Sequence, residues 1–263
     1  MSKAIDMFKE INEKIYYWFI NQANTSPHMI GLITPYDQYD SPNANINIYC
    51  TPLYLSTDRT ADVLLELFEN ELILGIKSSD RADVEETYVN SPHEPKMEEF
   101  IAKSFIPSKR EIKKALKHEE SDDELFYFLT PKGGELWESI FKPKWNQYLT
   151  RRGDGITHII DCVDPHVGKK LISLEYLLSF AQENVHCSIP GTEIWETITP
   201  WQVLYWKNLP VGYLVSYQSK RIEVNKNTVE SRELREEIKQ ADEWLTDICN
   251  WYAKDYFDEW LLL

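Results

Sequence analysis

The sequence is short of basic residues and of glycine, and both shortages narrow the classes of protein to which it can belong. Its 263 residues include 28 Lys and Arg against 43 Asp and Glu, which gives a net charge of -15. A chain of this sign is repelled by nucleic acid and by anionic lipid, because binding to either depends on cations that displace counterions. The nine glycines form no GxGxxG motif, P-loop or GxSxG motif, so the usual nucleotide-binding and serine-hydrolase signatures are absent.

Cysteine is also scarce, and long apolar runs are missing. The four cysteines are far apart and include no CxxC pair, so we expect free thiols in a reducing compartment and hence a cytoplasmic protein. No apolar stretch approaches the roughly 18 residues that span a bilayer. Met1–Ala23 mixes charged with apolar residues, unlike a signal peptide. The sequence therefore predicts a soluble protein with no membrane partner.

Aromatic residues, by contrast, are abundant, with 9 Trp, 15 Tyr and 10 Phe. Such side chains offset the entropy lost on folding, so an ordered core is expected. Apolar spacing and turn signals predict an α+β fold that is mostly helical. The predicted helices are Ser2–Gln22, Thr60–Ile76, Lys96–Lys103, Ser108–His118, one from Thr130, Ser173–Asn184, one from Thr199, and about Thr228–Leu263. The predicted strands are His28–Thr34, Ile46–Leu55, Leu125–Leu129, Ile156–Val163 and Tyr213–Tyr217, with a loop over Ser78–Pro95.

The charged, glycine-containing stretch Arg151–Gly155 indicates a domain boundary. We expect a winged-helix-like half over residues 1–152 and an α+β half with a long terminal helix over residues 153–263, although a single domain also fits the length. In the terminal helix, apolar residues recur at steps of four and three. They are Leu234, Ile238, Ala241, Leu245, Ile248 and Tyr252. This seam fits either a helix docked on its own core or a homodimer interface.

Two helix starts carry clear capping signals. Ser108 and Glu111 fit the reciprocal capping box, and Thr130-Pro131 places a capping hydroxyl before a proline at the first helical position. The segment Tyr127–Trp137 resembles the passage from the wing to the last helix of winged helix-turn-helix proteins, where a Leu-Thr pair and a glycine three residues later precede an apolar helix.

This resemblance covers about Thr57–Phe141 and implies that the helix Ser108–His118 enters the DNA major groove. Its candidate nucleic-acid contacts are Lys109, Arg110, Lys113, Lys114 and Lys117. From Lys103 to Arg152 there are 11 basic against 8 acidic residues, a local net charge of +3. The implied wing, Glu119–Glu124, is acidic, and together with the net charge of the chain it disfavours DNA contact.

A metal-dependent hydrolase is a further alternative, because imidazole and carboxylate groups cluster after Thr157. The candidate ligands are His158, Asp161, Asp164 and His166. On a strand, however, His158 and Asp161 point to opposite faces, and the pair Asp164-Pro165 also has an ordinary turn role. His186 beside Cys187 is likewise no evidence for a nucleophile, because adjacency in sequence does not place a base within reach.

The leading hypothesis is a non-enzymatic binding protein whose acidic, aromatic surface engages a basic protein. In the last helix, rings alternate with carboxylates, which would offer rigid contact area and acceptors for Arg or Lys. The candidate partner-binding residues are Trp251, Asp255, Tyr256, Asp258, Glu259 and Trp260. A bacterial immunity or antitoxin-type inhibitor is one concrete form. We expect no catalytic residue and no cofactor.

Overall fold

The computed structural model describes residues 13, 15–25, 27–30, 56–89, 97–117, 123–180, 185–222 and 232–253. Helices account for 49% and strands for 28% of these residues, so the predicted mixture of helix and sheet is confirmed. Within the same residues, no helix is long and apolar enough to cross a membrane.

The chain divides into two compact units, and each is made from more than one stretch of sequence. The first comprises Met1–Phe141, Leu204–Lys207 and Asp255–Leu263. The second comprises Lys142–Val203 and Asn208–Lys254. The main division therefore falls eleven residues before the predicted one at 152/153, because the strand that contains Arg151 and Arg152 pairs with the sheet of the second unit.

The first unit contains six helices and three short strands among the described residues. The helices are residues 15–22 (α1), Thr57–Glu69 (α2), Ser78–Val89 (α3), Met97–Lys103 (α4), Lys109–Leu116 (α5) and Pro131–Phe141 (α6). The strands are His28–Met29 (β1), Ile73–Lys77 (β2) and Leu125–Leu129 (β3). They form an antiparallel sheet in the order β1-β3-β2.

Strand β3 is the centre of the first unit. All five of its residues are buried, which is why it reads as a continuous apolar run. The strand matches its predicted bounds, and α6 begins at Pro131 as expected. The Thr130 hydroxyl accepts a hydrogen bond from the Gly133 amide at 3.0 Å and so caps the helix.

The segment Leu204–Lys207 places two aromatic residues in the core of the first unit. The Tyr205 hydroxyl donates to the Ala23 carbonyl at 2.7 Å and accepts from the Leu129 amide at 2.6 Å. The Trp206 indole donates to the Asn24 carbonyl at 2.7 Å. Both side chains are buried, so their polar atoms are satisfied by backbone groups.

Two predictions in the first unit were wrong. The helix predicted over Thr60–Ile76 ends at Glu69, and Ile73–Ile76 belong to β2. The loop predicted over Ser78–Pro95 contains α3, whose polar sequence has almost no amphipathic pattern. The side chain of Asp123 accepts hydrogen bonds from the Ser78 hydroxyl and the Ser79 amide, and these long-range contacts fix the start of the helix.

The second unit is built on a five-stranded antiparallel sheet. Its strands are Leu149–Gly153 (β4), Thr157–Cys162 (β5), Val185–Ser188 (β6), Ile194–Ile198 (β7) and Gly212–Ile222 (β10). A separate hairpin joins Trp201–Leu204 (β8) to Lys207–Leu209 (β9), and its turn, Leu204–Lys207, is the segment that belongs to the first unit. The long strand β10 pairs with β5 on one side, and with β7 and then β6 on the other.

Two helices complete this unit, Pro165–Leu178 (α7) and Arg232–Cys249 (α8). Helix α7 packs on β5 and β6, and α8 packs on α7. Together they enclose an apolar cluster centred on Ile160, Leu171 and Val215. Of the seam predicted in α8, Ala241 and Ile248 are buried within this unit.

Two helix starts in the second unit differ from expectation. Helix α7 begins at Pro165 rather than Ser173, because the Asp164 carboxylate caps it by accepting from the His166 amide at 2.8 Å. The sequence Thr199-Pro200 starts no helix. It lies in the turn between β7 and β8, and its peptide bond is cis.

Candidate functional site

A buried polar cluster lies between the sheet and α7 of the second unit. Successive residues of a strand point to opposite faces, so His158 of β5 and Tyr217 and Ser219 of β10 share the face that α7 covers. Glu175 projects from α7 into the same layer and is only 2% exposed. Arg151 reaches the cluster from β4.

Glu175 is the centre of this cluster. Its Oε1 atom accepts from Arg151 Nη2 at 2.6 Å and from the Tyr217 hydroxyl at 3.4 Å. Its Oε2 atom is buried and has no hydrogen-bond partner. Burial raises the pKa of this carboxyl, and the Arg151 guanidinium opposes that effect without cancelling it. Glu175 therefore keeps one unused acceptor position in a poorly solvated environment.

The hydrogen bonds of His158 define which of its nitrogens carries the proton. Nδ1 lies 3.3 Å from Arg151 Nη2, which can only donate, so we infer that Nδ1 accepts and Nε2 is protonated. Nε2 lies 2.8 Å from the Ser219 hydroxyl oxygen and 3.4 Å from Glu175 Oε1. Burial and the neighbouring Arg151 lower the pKa of His158, which favours the neutral ring.

This arrangement contains Ser, His and Glu but has the opposite polarity to a catalytic triad. In a triad, the nitrogen facing the serine must accept its proton, and a carboxylate binds the other ring nitrogen. Here the nitrogen facing Ser219 is the protonated one, and Arg151 occupies the position of the carboxylate. Ser219 is also only 3% exposed. The cluster is therefore suited to holding a buried charge pair and not to activating Ser219.

A cavity of about 480 Å³ adjoins the cluster. Its polar lining is formed by Arg151, His158, Glu175, Ser179 and His186, with the exposed residues Gly155 and Cys249 at its rim. The remaining wall is apolar and consists of Leu149, Leu171, Leu178, Leu245, Ile248 and Trp251. This combination of an apolar wall with a few convergent polar groups is typical of small-molecule sites.

The four predicted metal ligands are not brought together. His158 belongs to the cluster above, whereas Asp161 accepts from Thr150 at 3.2 Å and pairs with Arg152 on the opposite face of the sheet. Asp164 caps α7, and His166 is exposed. In the part of the chain that the structure describes, no group of three or more His, Cys, Asp or Glu side chains is arranged to hold a metal ion.

The predicted DNA-contacting residues lie on α5 or, for Lys117, directly after it. Lys109 forms an ion pair with Asp62, and Lys113 forms one with Asp58, both on α2. Arg110, Lys114 and Lys117 are exposed. Most of the implied wing, residues 119–122, lies outside the described residues.

Of the predicted partner-binding residues, only Trp251 lies within the described part of the chain. It is 8% exposed and packs edge-to-face on Tyr148, with ring centroids 4.9 Å apart. Its ring thus contributes to the core of the second unit and to the cavity wall. The other five residues, Asp255, Tyr256, Asp258, Glu259 and Trp260, lie outside the described residues.

Of the residues in this cluster, only His158 is among the site residues predicted from the sequence. Arg151 belongs to the stretch that the sequence indicates as a domain boundary, and Glu175 lies in the helix predicted from Ser173 without a role assigned to it. One signal was present, because Glu175 follows Leu171 by four residues and precedes Leu178 by three, on the apolar stripe of α7. A carboxylate on such a stripe needs a buried partner.

Comparison with models of known protein families, with curated proteins and with solved structures found no match to this chain.

Proposed function

We propose that this protein is a non-enzymatic binding protein whose acidic surface engages a basic protein in a reducing cytoplasm. The observation that carries the proposal is the exposed side of α8, which is rich in carboxylates. A bacterial immunity or antitoxin-type inhibitor remains one form of this function, because such a protein neutralises its partner by covering a basic surface.

Helix α8 carries most of its acidic residues on the side away from its buried residues. It has six acidic against three basic residues, and its buried side includes Ala241 and Ile248. The outer side carries four carboxylates, at positions 233, 236, 243 and 247. The steps between them are three, seven and four residues, which places them on one face of the helix. This acidic α8 face consists of Glu233, Glu236, Glu243 and Asp247, all exposed.

Such a face favours a cationic partner for two physical reasons. A row of like charges at the surface raises the rate of encounter with a protein of opposite sign. Carboxylates also accept paired hydrogen bonds from Arg. Lys239 pairs with Glu243 at 3.6 Å, an exposed contact that a partner cation can replace at little cost. The predicted ring-and-acid segment from Trp251 to Trp260 follows this helix in the chain.

The experiment compares two triple variants with the same net charge. E233Q/E236Q/E243Q neutralises three of the four carboxylates of the acidic α8 face, and E98Q/E135Q/E196Q neutralises three exposed acids elsewhere. Basic cytosolic proteins retained at low salt are purified and titrated with each form by calorimetry. We expect the α8 variant to lose about tenfold or more in affinity while the control keeps the wild-type affinity. Equal losses would indicate a non-specific charge effect, and absence of any saturable basic partner would overturn the proposal.

DNA binding through α5 is the second candidate, and one observation favours it. The capping box predicted at Ser108 and Glu111 is present, and the helix it starts buries Ile112 and Leu116 while exposing Arg110, Lys114 and Lys117. The winged-helix resemblance would place this exposed side in the major groove. The ion pairs of Lys109 and Lys113 with α2 reduce the charge available for phosphate contacts.

A gel-shift titration with random-sequence duplex separates the candidates. If α5 binds DNA, the wild-type protein should retard the duplex on the gel, and the variant R110E/K114E/K117E should not. A wild-type protein that never shifts the duplex at low salt, where phosphate contacts are strongest, would end this candidate.

A further inference from the structure

We propose that the cavity of the second unit binds a small uncharged molecule with an apolar body and a carboxamide-like head group. This site is independent of the acidic α8 face, which uses the other side of that helix. The inference rests on three features of the cavity, namely an unpartnered buried acceptor, a charge balance that is already complete, and an apolar wall.

The unpartnered acceptor is Glu175 Oε2. Glu175 lines the cavity, and only 2% of its surface is exposed. Its Oε2 atom nevertheless accepts no hydrogen bond from the described residues. Leaving a buried polar atom unpaired is unfavourable, and native proteins seldom do so without a ligand or a water to complete the contact. A ligand N–H group donated to Oε2 would complete it.

Arg151 provides donors for a hydrogen-bond acceptor on the same ligand. The protein contacts of Arg151 in the described part of the chain all use Nη2, which binds Glu175 and His158. Its Nη1 and Nε donors are therefore open to a ligand, and about a third of the side chain is exposed. A carboxamide carries a carbonyl acceptor beside an N–H donor, and this matches the adjacent Arg151 donors and Glu175 acceptor.

The charge balance selects an uncharged head group over an ion. Arg151 and Glu175 already neutralise each other at 2.6 Å. Burial and Arg151 lower the pKa of His158, so the imidazole adds no charge near neutral pH. A carboxylate or ammonium ligand would bring a net charge into a poorly solvated site, and that charge would lack a counter-ion of its own.

The apolar wall selects the body of the ligand. Side chains of α7, α8 and β4 form this wall, with Leu171, Leu245 and Ile248 among them. A volume of about 480 Å³ lies within the usual range for small-molecule sites and accommodates an aromatic ring with its substituents. The ring would replace water against these side chains and gain hydrophobic stabilisation.

The test uses three probes that share one ring and differ in head-group charge, namely 4-fluorobenzamide, 4-fluorobenzoate and 4-fluorobenzylamine. Binding to the full chain is followed by fluorine NMR of the probe near neutral pH. We expect saturable binding of the amide. The benzoate and the benzylamine should each bind with an affinity at least about tenfold lower than that of the amide. Equal binding of all three probes, or no binding of the amide at millimolar concentration, would overturn the inference.

Two variants locate the site. E175Q removes the carboxylate charge and, with its amide oxygen facing Arg151, places an N–H donor where Oε2 stood. L245W fills the cavity while leaving the polar cluster unchanged. Both should abolish amide binding, and wild-type amide affinity in either folded variant would contradict the inference. The matched control is E233Q/E236Q/E243Q, which changes the outer side of α8 and should bind the amide normally. Loss of basic-protein binding in that control, with amide binding intact, would separate the two sites.

Discussion

Arg151 of β4 and Glu175 of α7 form an ion pair with Nη2 and Oε1 2.6 Å apart. The pair links the edge of the five-stranded sheet to the helix that covers it. Glu175 is almost completely buried, whereas about a third of the Arg151 side chain is exposed. The arginine therefore brings positive charge from the surface to a carboxylate that is almost completely buried. Removing the arginine and removing the carboxylate should therefore differ in their effect on stability.

Arg151→Met should destabilise the protein by about 2–3 kcal/mol, because it leaves the buried carboxylate of Glu175 without its cation. The loss should be smaller than for a fully buried ion pair, because part of the Arg151 side chain is exposed. The double variant R151M/E175Q should recover part of this loss. The measurement is urea unfolding near neutral pH. Arg152→Met is the comparison, because Arg152 is 54% exposed and its partner Asp161, on β5, keeps a hydrogen bond from Thr150. Similar losses for R151M and R152M would contradict this prediction.

The stability of the wild-type protein should fall relative to His158→Gln as the pH drops below about 6.5. Burial, with Arg151, lowers the pKa of His158 below its ordinary value of 6.5. The unfolded chain then takes up a proton near that pH, while the folded protein does so only at lower pH. The stabilisation tied to the neutral ring is thus complete above pH 6.5 and is lost as the pH falls toward the folded pKa.

Urea unfolding of both proteins at intervals from about pH 8 to pH 5 checks this sign. The raised pKa of Glu175 has the opposite effect, since it makes the folded state bind its proton more readily, but it is present in both proteins. The exposed residue His166 provides the control, and H166Q should follow the wild-type curve. Parallel curves for H158Q and the wild type would show that the pKa of His158 is not lowered by folding.

Local signals in the sequence identified the elements whose structure is determined locally. Strand β3 is a continuous apolar run, and the capping residues Ser108 and Thr130 stand where helices begin. Elements fixed by distant contacts were missed. Helix α3 is polar, and its start depends on Asp123, a residue 45 positions away from Ser78.

The candidate site depends on the register between β5 and β10. The alternation of apolar and polar residues along a strand does not determine that register. His158 lies opposite Tyr217, and Ser219 is the next residue on the same face of β10. Only this register brings the Ser219 hydroxyl within 2.8 Å of His158. The predicted start of α7 was also eight residues late, so the predicted helix left out Leu171, whose position four residues before Glu175 marks the buried side of α7.

Ser108→Ala should cost about 1 kcal/mol of stability, because it removes one half of the capping box of α5. The Ser108 hydroxyl and amide both bind the Glu111 carboxylate, at 2.6 and 2.8 Å, and lower its pKa. The stabilisation by Glu111 is therefore present above its ordinary pKa of 4.5 and is lost as the pH falls further. Chemical unfolding measures the change. Ser173→Ala, at an exposed position within α7, should cost nothing, and an equal cost for both would refute the capping role.

Gly133 and Gly134 should both resist replacement by alanine, although alanine is intrinsically favoured in a helix by about 1 kcal/mol. A Cβ atom on Gly134 would overlap the ring of Trp206, and one on Gly133 would overlap the backbone carbonyl of Leu72. Overpacking of this kind typically costs about 1–3 kcal/mol. A ring can rotate aside more easily than the backbone of Leu72, directly before β2, can shift, so G133A should be the more destabilising of the two.

A double-mutant cycle tests the cause of the Gly134 effect. In a Trp206→Leu background the clashing ring is gone, so G134A should become neutral or slightly stabilising, as helix propensity alone predicts. Glu135→Ala, at an exposed position of the same helix, should change the free energy of unfolding little in either background. If G134A remains equally destabilising without the ring, then Trp206 is not the group that excludes a side chain at this position. The requirement for glycine would then have to come from the backbone of α6 itself.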